Sequence, residues 1–356
     1  MSDDSAQFSG TMEVRERLKF DVAKLEAYLK QNVAGFQGPL DVAQFKGGQS
    51  NPSYMLTTPD RKYVLRRKPP GKLLPSAHAV DREYRVLTAL TNTEVPVPKT
   101  YCLCEDEDVI GTMFYVMEFL DGDIEWDPSL PNYSKANRVA VFDSMNAAMA
   151  SLHMVDYKSV GLESFGKPTD YLARQINRWT KQYKASETET VEAMDNLMAW
   201  LPENIPPGDE TAIVHGDYRL DNTVLNKDTH RVMGILDWEL ATLGHPLADF
   251  SYHCMTWRLE PELFRGLNGL DLPALGIPTE EQYVASYCER TGRDGIENWD
   301  FYAAYNMFRL AAILQGIVGR VKDGTASNKN AADVAVRVKP LAIRGWEQAE
   351  KIIKGA

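Results

Sequence analysis

Two short apolar runs, each ending in a polar cluster that carries an aspartate, constrain this chain more than any other feature. Ile213-Val214 leads into His215-Gly216-Asp217-Tyr218-Arg219-Leu220-Asp221-Asn222, and Val232 to Leu236 leads into Asp237-Trp238-Glu239. Together with Val224-Leu225, these runs are too short for helices and have the β-branched character of short strands around a loop. Two strands joined as a hairpin return the chain to the point where it left. Asp237 is therefore expected beside the tight loop that holds Asp217 and Asn222.

The rest of the chain changes period once. Asp21 to Gln31 has helical spacing, with Val22, Leu25 and Leu29 on one face. Val42 to Phe45, Tyr54 to Leu56, Tyr63 to Leu65, Tyr101 to Cys104 and Met113 to Glu118 suit strands. Gly47-Gly48 and Thr58-Pro59-Asp60 separate the first three. One helix interrupts them, from Ser76 as N-cap to Leu90, with Val80, Tyr84, Leu87 and Leu90 inward. Beyond about residue 119 the pattern is helical. Helices are expected over Ser134 to Val155 (core positions Val139, Phe142, Met145, Met149 and Leu152), Tyr171 to Lys184, Val191 to Leu201, Glu281 to Arg290, Phe301 to Val318 and Ala331 to Ile353. The expected architecture is α+β. An antiparallel sheet with one major helix occupies residues 14–118, and a mainly helical lobe occupies 119–356.

Composition narrows the function classes. The net charge of −11 disfavours non-specific binding to nucleic acid, which needs clustered cations against phosphate. Four scattered cysteines form no disulfide framework; Cys102 and Cys104 share one side of a strand and read as buried thiols. The polar, acidic start lacks a signal-peptide pattern, and no stretch has the length of apolar residues that spans a bilayer. A cytoplasmic protein without membrane or nucleic-acid partners is expected.

The aspartate clusters suit phosphoryl transfer. That reaction needs a carboxylate to orient and deprotonate an acceptor hydroxyl, oxygen ligands for Mg²⁺, and positive charge along the phosphates. Asp217, Asn222 and Asp237, in that order, supply one base and two oxygen donors. With its His-x-Asp-x-x-x-x-Asn loop followed by hydrophobic-Asp-Trp, the sequence resembles the aminoglycoside-phosphotransferase and choline-kinase family, distant relatives of protein kinases. The resemblance implies a two-lobed protein-kinase-like fold. It also implies Asp217 as catalytic base, Asn222 and Asp237 as Mg²⁺ ligands, His215 as a structural member of the loop, and Asp249 as a brace for it. Arg219 is either a contact to the γ-phosphate or the substrate, or half of an ion pair within the loop.

Upstream parts match the same resemblance. Phe45-Lys46-Gly47-Gly48-Gln49-Ser50-Asn51 stands where the family's nucleotide loop stands, with Gly47 and Gly48 admitting phosphate to backbone amides and Ser50 or Asn51 adding donors. Arg66 occupies the place where most kinases of this fold have lysine, and Glu83 is its expected partner. Met117, Glu118 and Phe119 match the hinge that reads adenine, with Met117 or Leu225 as apolar walls. ATP, or GTP in its place, and Mg²⁺ are the implied cofactors. The basic segment Arg66 to His78 is either a flap carrying Lys72 or His78 towards phosphate or a solvated charge run.

Arg66-Arg67-Lys68-Pro69-Pro70-Gly71-Lys72 and Asp237-Trp238-Glu239-Leu240-Ala241-Thr242 are most similar to the kinase-like domain fused to some acyl-CoA dehydrogenases. That form is associated with hydroxy acids or their CoA esters as acceptors. The kinase pattern fills the sequence from about 42 to 320, so no flavin chemistry is expected of it. Trp238, His245, Tyr252, Trp257, Arg258, Arg309 and Arg320 are candidates for the pocket of a small hydroxylated acceptor. Arg258 and Arg309 would favour an anionic one. The alternative is a nucleotide-binding regulatory protein of the same fold that no longer catalyses; a protein kinase is disfavoured, since no Ala-Pro-Glu element follows Asp237. Oligomeric state is not legible.

Overall fold

The computed structural model describes residues 10–47, 51–71, 78–322 and 331–355. Gly48, Ser50, Lys72 and the expected N-cap Ser76 lie outside them. The chain forms two compact units. One comprises residues 1–126, 156–165 and 219–241, and the other 127–155, 166–218 and 242–356. The division expected near residue 118 is a single cut in sequence. By compactness, the first unit instead takes back two later segments, including the hairpin that carries Asp237.

The first unit is built on a six-stranded antiparallel sheet. Its strands are β1 (Thr11–Met12), β2 (Asp41–Phe45), β3 (Ser53–Thr57), β4 (Lys62–Arg67), β5 (Thr100–Cys104) and β6 (Phe114–Glu118), in the order β1-β2-β3-β4-β6-β5. Alternation along a strand sends successive side chains to opposite faces. Tyr54, Leu56, Tyr63, Leu65, Cys102, Cys104, Phe114 and Val116 share one core with Leu25 and Leu29. Those leucines come from helix α1 (Val22–Asn32), which Asp21 caps by accepting from Lys24 N. Large apolar side chains buried this way contribute about 1.5–3 kcal/mol each. Val64, Arg66, Tyr115 and Met117 take the alternate positions, on the face that meets helix α2 (Val80–Leu90).

Helix α2 turns Val80, Val86, Leu87 and Leu90 inward, but Glu83 is buried with them while Tyr84 is only half-buried. The expected inner stripe placed Tyr84 where Glu83 and Val86 stand. A charge-based reading sends a glutamate to solvent, and here an ion pair overrides it. The hairpin β8 (Thr223–Leu225) and β9 (Val232–Ile235) belongs to the same unit.

The second unit is helical. Counting helices longer than one turn, it holds α3 (Lys135–Met154), α4 (Tyr171–Ser186), α5 (Glu192–Glu203), α6 (Pro246–Arg258), α7 (Glu280–Thr291), α8 (Trp299–Lys322) and α9 (Ala331–Gly355). Ser134 caps α3, whose Phe142, Met145, Met149 and Leu152 are buried as expected; Val139 is 54% exposed, off the inner face. Helix α6 had no counterpart in the sequence reading. Every side chain from Pro246 to Met255 is buried, so the contrast between faces that reveals a helix is missing. Its Phe250 stacks on Tyr287 of α7, with ring centroids 3.8 Å apart. A two-stranded ladder of β7 (Ala212–Val214) and β10 (Thr242–Gly244) leads into α6, pairing Val214 with Thr242.

Candidate active-site residues

In the first unit the chemistry gathers around Arg66. Its Nε lies 2.9 Å from Glu83 Oε2, its Nη2 lies 2.5 Å from Asp237 Oδ1, and Glu239 stands 3.8 Å away. Glu83 is held in turn by Asn51 Nδ2 at 2.9 Å and by the Tyr115 hydroxyl at 3.1 Å. Burial raises the Glu83 carboxyl above its usual range, against the opposing pull of Arg66. Burial also works against the charge on Arg66, but Glu83 and Asp237 more than offset it and strengthen its hold on the proton. A guanidinium offers several donors in one plane, so it can serve both carboxylates at once where a lysine ammonium acts as a point charge.

Asn222 and Asp237 flank the β8–β9 hairpin. Thr223 pairs with Ile235, and Leu236 N donates to Asn222 O at 2.8 Å, which brings the two residues to the same end of the ladder. Asp237 adopts left-handed backbone angles (φ 64°, ψ 59°), uncommon for a residue other than glycine and a feature that gathers at functional sites. Its carboxylate remains partly exposed while Asn222 is largely buried. The donor set suits Mg²⁺, which takes hard oxygen ligands and is commonly held by one or two protein groups together with phosphates and water. Among the described residues no group of three or more His, Cys, Asp or Glu side chains is placed to hold a metal ion.

The segment after β6 reaches the same hairpin. Asp123 and Leu225 exchange backbone hydrogen bonds of 2.8 Å in both directions. A side chain at Gly122 would collide with the Leu225 carbonyl, so glycine permits the approach. Leu225 is fully buried, and Met117 is 8% exposed. Arg219, also in this unit, lies 3.2 Å from Asp221, the ion pair weighed from the sequence. The side chain of Asn51 is occupied by Glu83 and by His78 Nδ1 at 3.0 Å.

In the second unit Asp217 follows Gly216, whose φ of 83° is a conformation glycine adopts without strain. Asp249 of α6 accepts from His215 N at 2.7 Å and from Gly216 N at 2.8 Å, and His153 Nε2 lies 3.3 Å away. Burial opposes the charge on Asp249, yet the contacts with His153 and His215 hold its carboxyl below the usual range. His215 Nδ1 accepts from Asp217 N at 3.2 Å, an internal bond of the loop. The Tyr252 hydroxyl donates to Asp217 Oδ1 at 2.6 Å. Arg309 Nη2 donates to Gly216 O at 2.6 Å, and its guanidinium carbon lies 4.9 Å from the Tyr252 ring centroid.

Other acceptor candidates are engaged in scaffolding. Arg258 pairs with Glu280 and with Asp300, Trp257 Nε1 donates to Pro278 O at 2.8 Å, and His245 caps α6 through Leu247 N. Trp238, in the first unit, is buried with Nε1 donating to Ile235 O. Arg258 therefore joins α6, α7 and α8 through its ion pairs.

A family model described as the phosphotransferase enzyme family matches residues 41–304. A solved structure from Ralstonia eutropha JMP134, classed by name as an aminoglycoside phosphotransferase, is 55% identical with a TM-score of 0.87, covering 94% of this chain and 99% of that one. A thermostable mutant of aminoglycoside phosphotransferase APH(4)-Ia, solved with AMP-PNP and hygromycin B, shares the fold at 18% identity and a TM-score of 0.57, covering 90% of this chain and 98% of that one. Mouse acyl-CoA dehydrogenase family member 10 is 44% identical over 344 residues. That match takes in 96% of this chain and 32% of the mouse protein, so the chain spans about a third of that relative's length. The fold is kinase-like, and the chain belongs to the phosphotransferase enzyme family.

Proposed function

We propose that the protein is an ATP- and Mg²⁺-dependent phosphotransferase that moves the γ-phosphate to a hydroxyl of a small molecule, with a hydroxy acid or its acyl-CoA ester as acceptor. The observation that carries this reading is the chain of contacts Glu83–Arg66–Asp237, which holds a fixed cation against a partly exposed carboxylate. Arg66 binds the phosphates, and Glu83, steadied by Asn51 and Tyr115, orients it. Asn222 and Asp237 hold Mg²⁺, which when bound neutralises charge developing on the phosphates. Residues 14–118 serve the nucleotide. Gly47 and Gly48 admit the phosphates, Ser50 adds a donor, and Met117, Glu118, Phe119 and Leu225 receive the base. Asn51 contributes through Glu83.

Asp217 accepts the proton of the acceptor hydroxyl and aligns that oxygen for attack, with Arg219 close by in sequence to meet the transferring group. Arg309, joined to Gly216 one residue before Asp217, keeps positive charge near the base and favours an anionic acceptor. The AMP-PNP bound to the APH(4)-Ia mutant supports an adenine nucleotide. The mouse relative's name supports acyl-CoA chemistry. A screen of hydroxylated acids and their CoA esters for ADP release, with Mg²⁺ present and then chelated, tests the proposal. ATP that neither stabilises the protein nor yields ADP with any acceptor would falsify it.

A further inference from the structure

Helix α6 grips the loop before Asp217 through Asp249, and one turn further on it presents Tyr252. Two buried tyrosine hydroxyls in this protein find backbone carbonyls, Tyr218 donating to Met145 O and Tyr54 to Leu18 O, while Tyr115 gives its own to the Glu83 carboxylate at 3.1 Å. Tyr252, at 6% exposure, likewise directs its hydroxyl to a carboxylate, that of Asp217 at 2.6 Å. Its ring lies under the Arg309 guanidinium, and Arg309 in turn holds the Gly216 carbonyl. Stacked on each other, these two side chains therefore hold consecutive residues of the loop, one by its backbone and one by its carboxylate.

We propose that Tyr252 is a positioning residue for Asp217, fixing the orientation of the carboxylate towards the acceptor hydroxyl. The inference rests on the reading of Asp217 as the base. An aspartate side chain turns about two torsions, and a base must meet its proton within hydrogen-bond reach. A charge-assisted bond to one oxygen removes that freedom before substrate arrives. Arg309 serves the same end indirectly, because it orders the ring that carries the hydroxyl.

Tyr252→Phe tests this, since it keeps the ring and its stacking and deletes only the donor. Turnover is measured as ADP release from Mg–ATP with water as acceptor, so no acceptor need be identified. The variant should lose about tenfold in kcat with the KM for Mg–ATP unchanged and thermal stability near wild type. Independently of turnover, the carbon-13 carboxyl resonance that Asp217→Asn removes should move in Tyr252→Phe at neutral pH. An unmoved resonance overturns the contact, and an unchanged kcat in folded Tyr252→Phe overturns the positioning role. A wild-type rate no greater than that of Asp217→Asn instead sinks the phosphotransfer reading, and this role with it.

Discussion

Arg66 Nη2 lies 2.5 Å from Asp237 Oδ1, although 171 positions separate the two residues. The contact ties strand β4 of the sheet to the end of the β8–β9 hairpin. It joins the residue proposed to hold phosphate to one proposed to hold metal. Because the same guanidinium serves buried Glu83, the contact is part of the fold as well as of the proposed site.

Removing Arg66 should therefore cost both stability and nucleotide binding. In Arg66→Ala the Glu83 carboxylate loses its cation in a buried setting, a change of about 3–5 kcal/mol when one partner of a buried pair is deleted. Arg66→Lys keeps the charge and should recover part of that loss, but not the geometry that serves two carboxylates. Denaturant midpoints of the two variants, read beside ATP affinity, check this. Equal stability of Arg66→Ala and wild type would remove the ion pair from the account.

Asp217→Asn keeps the size and most of the polarity of the side chain while removing its basicity. Turnover should fall by about 10²–10⁴-fold, the contribution of a positioned general base. ATP should still stabilise the protein, since the groups proposed to bind it lie elsewhere. Kinetic and thermal-shift measurements on one preparation are sufficient, and near-normal turnover would exclude the role.

Asp237→Ala should uncouple the metal from the nucleotide. In the wild type, ATP with Mg²⁺ should raise the thermal midpoint more than ATP with a chelator, because a ligand that binds only the folded state stabilises it by mass action. In the variant the increment due to Mg²⁺ should vanish. Persistence of that increment would exclude Asp237 as a metal ligand.

Stability should fall between pH 6.5 and about 4. Burial lowers both His245 and His253 from 6.5 to about 4, so in this window they are neutral when folded and protonated when unfolded. The unfolded state then binds about two more protons than the folded one, and stability must rise with pH. Denaturation followed across the window should show this slope, and His253→Asn should remove about one proton from it. Further into acid, the depressed Asp249 carboxyl works in the same direction. Its contribution is complete above its unfolded value of 3.8 and is lost as pH falls through the lower folded value. A flat profile from pH 6.5 to 4 would show that the two histidines are not buried as neutral groups.

Much of this molecule was legible in advance because it is encoded locally. The apolar run Tyr63 to Leu65, the turn residues Thr58-Pro59-Asp60 and the spacing from Asp217 to Asn222 each act within a few positions. Most strands and most helices follow the expectations drawn from them, though β1 and β10 had none, and the Arg66–Glu83 pair follows what the family resemblance implied. Helix α6 was not legible, and Tyr252 could not be matched to Asp217 without it. A segment packed on every side shows no periodic contrast, and only end signals were available: Pro246 at its start, Asp249 in its first turn and Arg258 in its last. The sequence likewise shows the charge of Arg258 and not the Glu280 and Asp300 that pair with it.

By itself, then, the sequence determined the sheet-then-helix order, the family and the residue types capable of phosphoryl transfer. Backbone periodicity and turn chemistry are short-range forces that a linear string records. Only the tertiary structure decided that Asp237 shares Arg66 with Glu83, and that Tyr252 and Arg309 hold the loop of Asp217. Those contacts join residues far apart in the chain, and their energies exist only once packing has excluded water from around them.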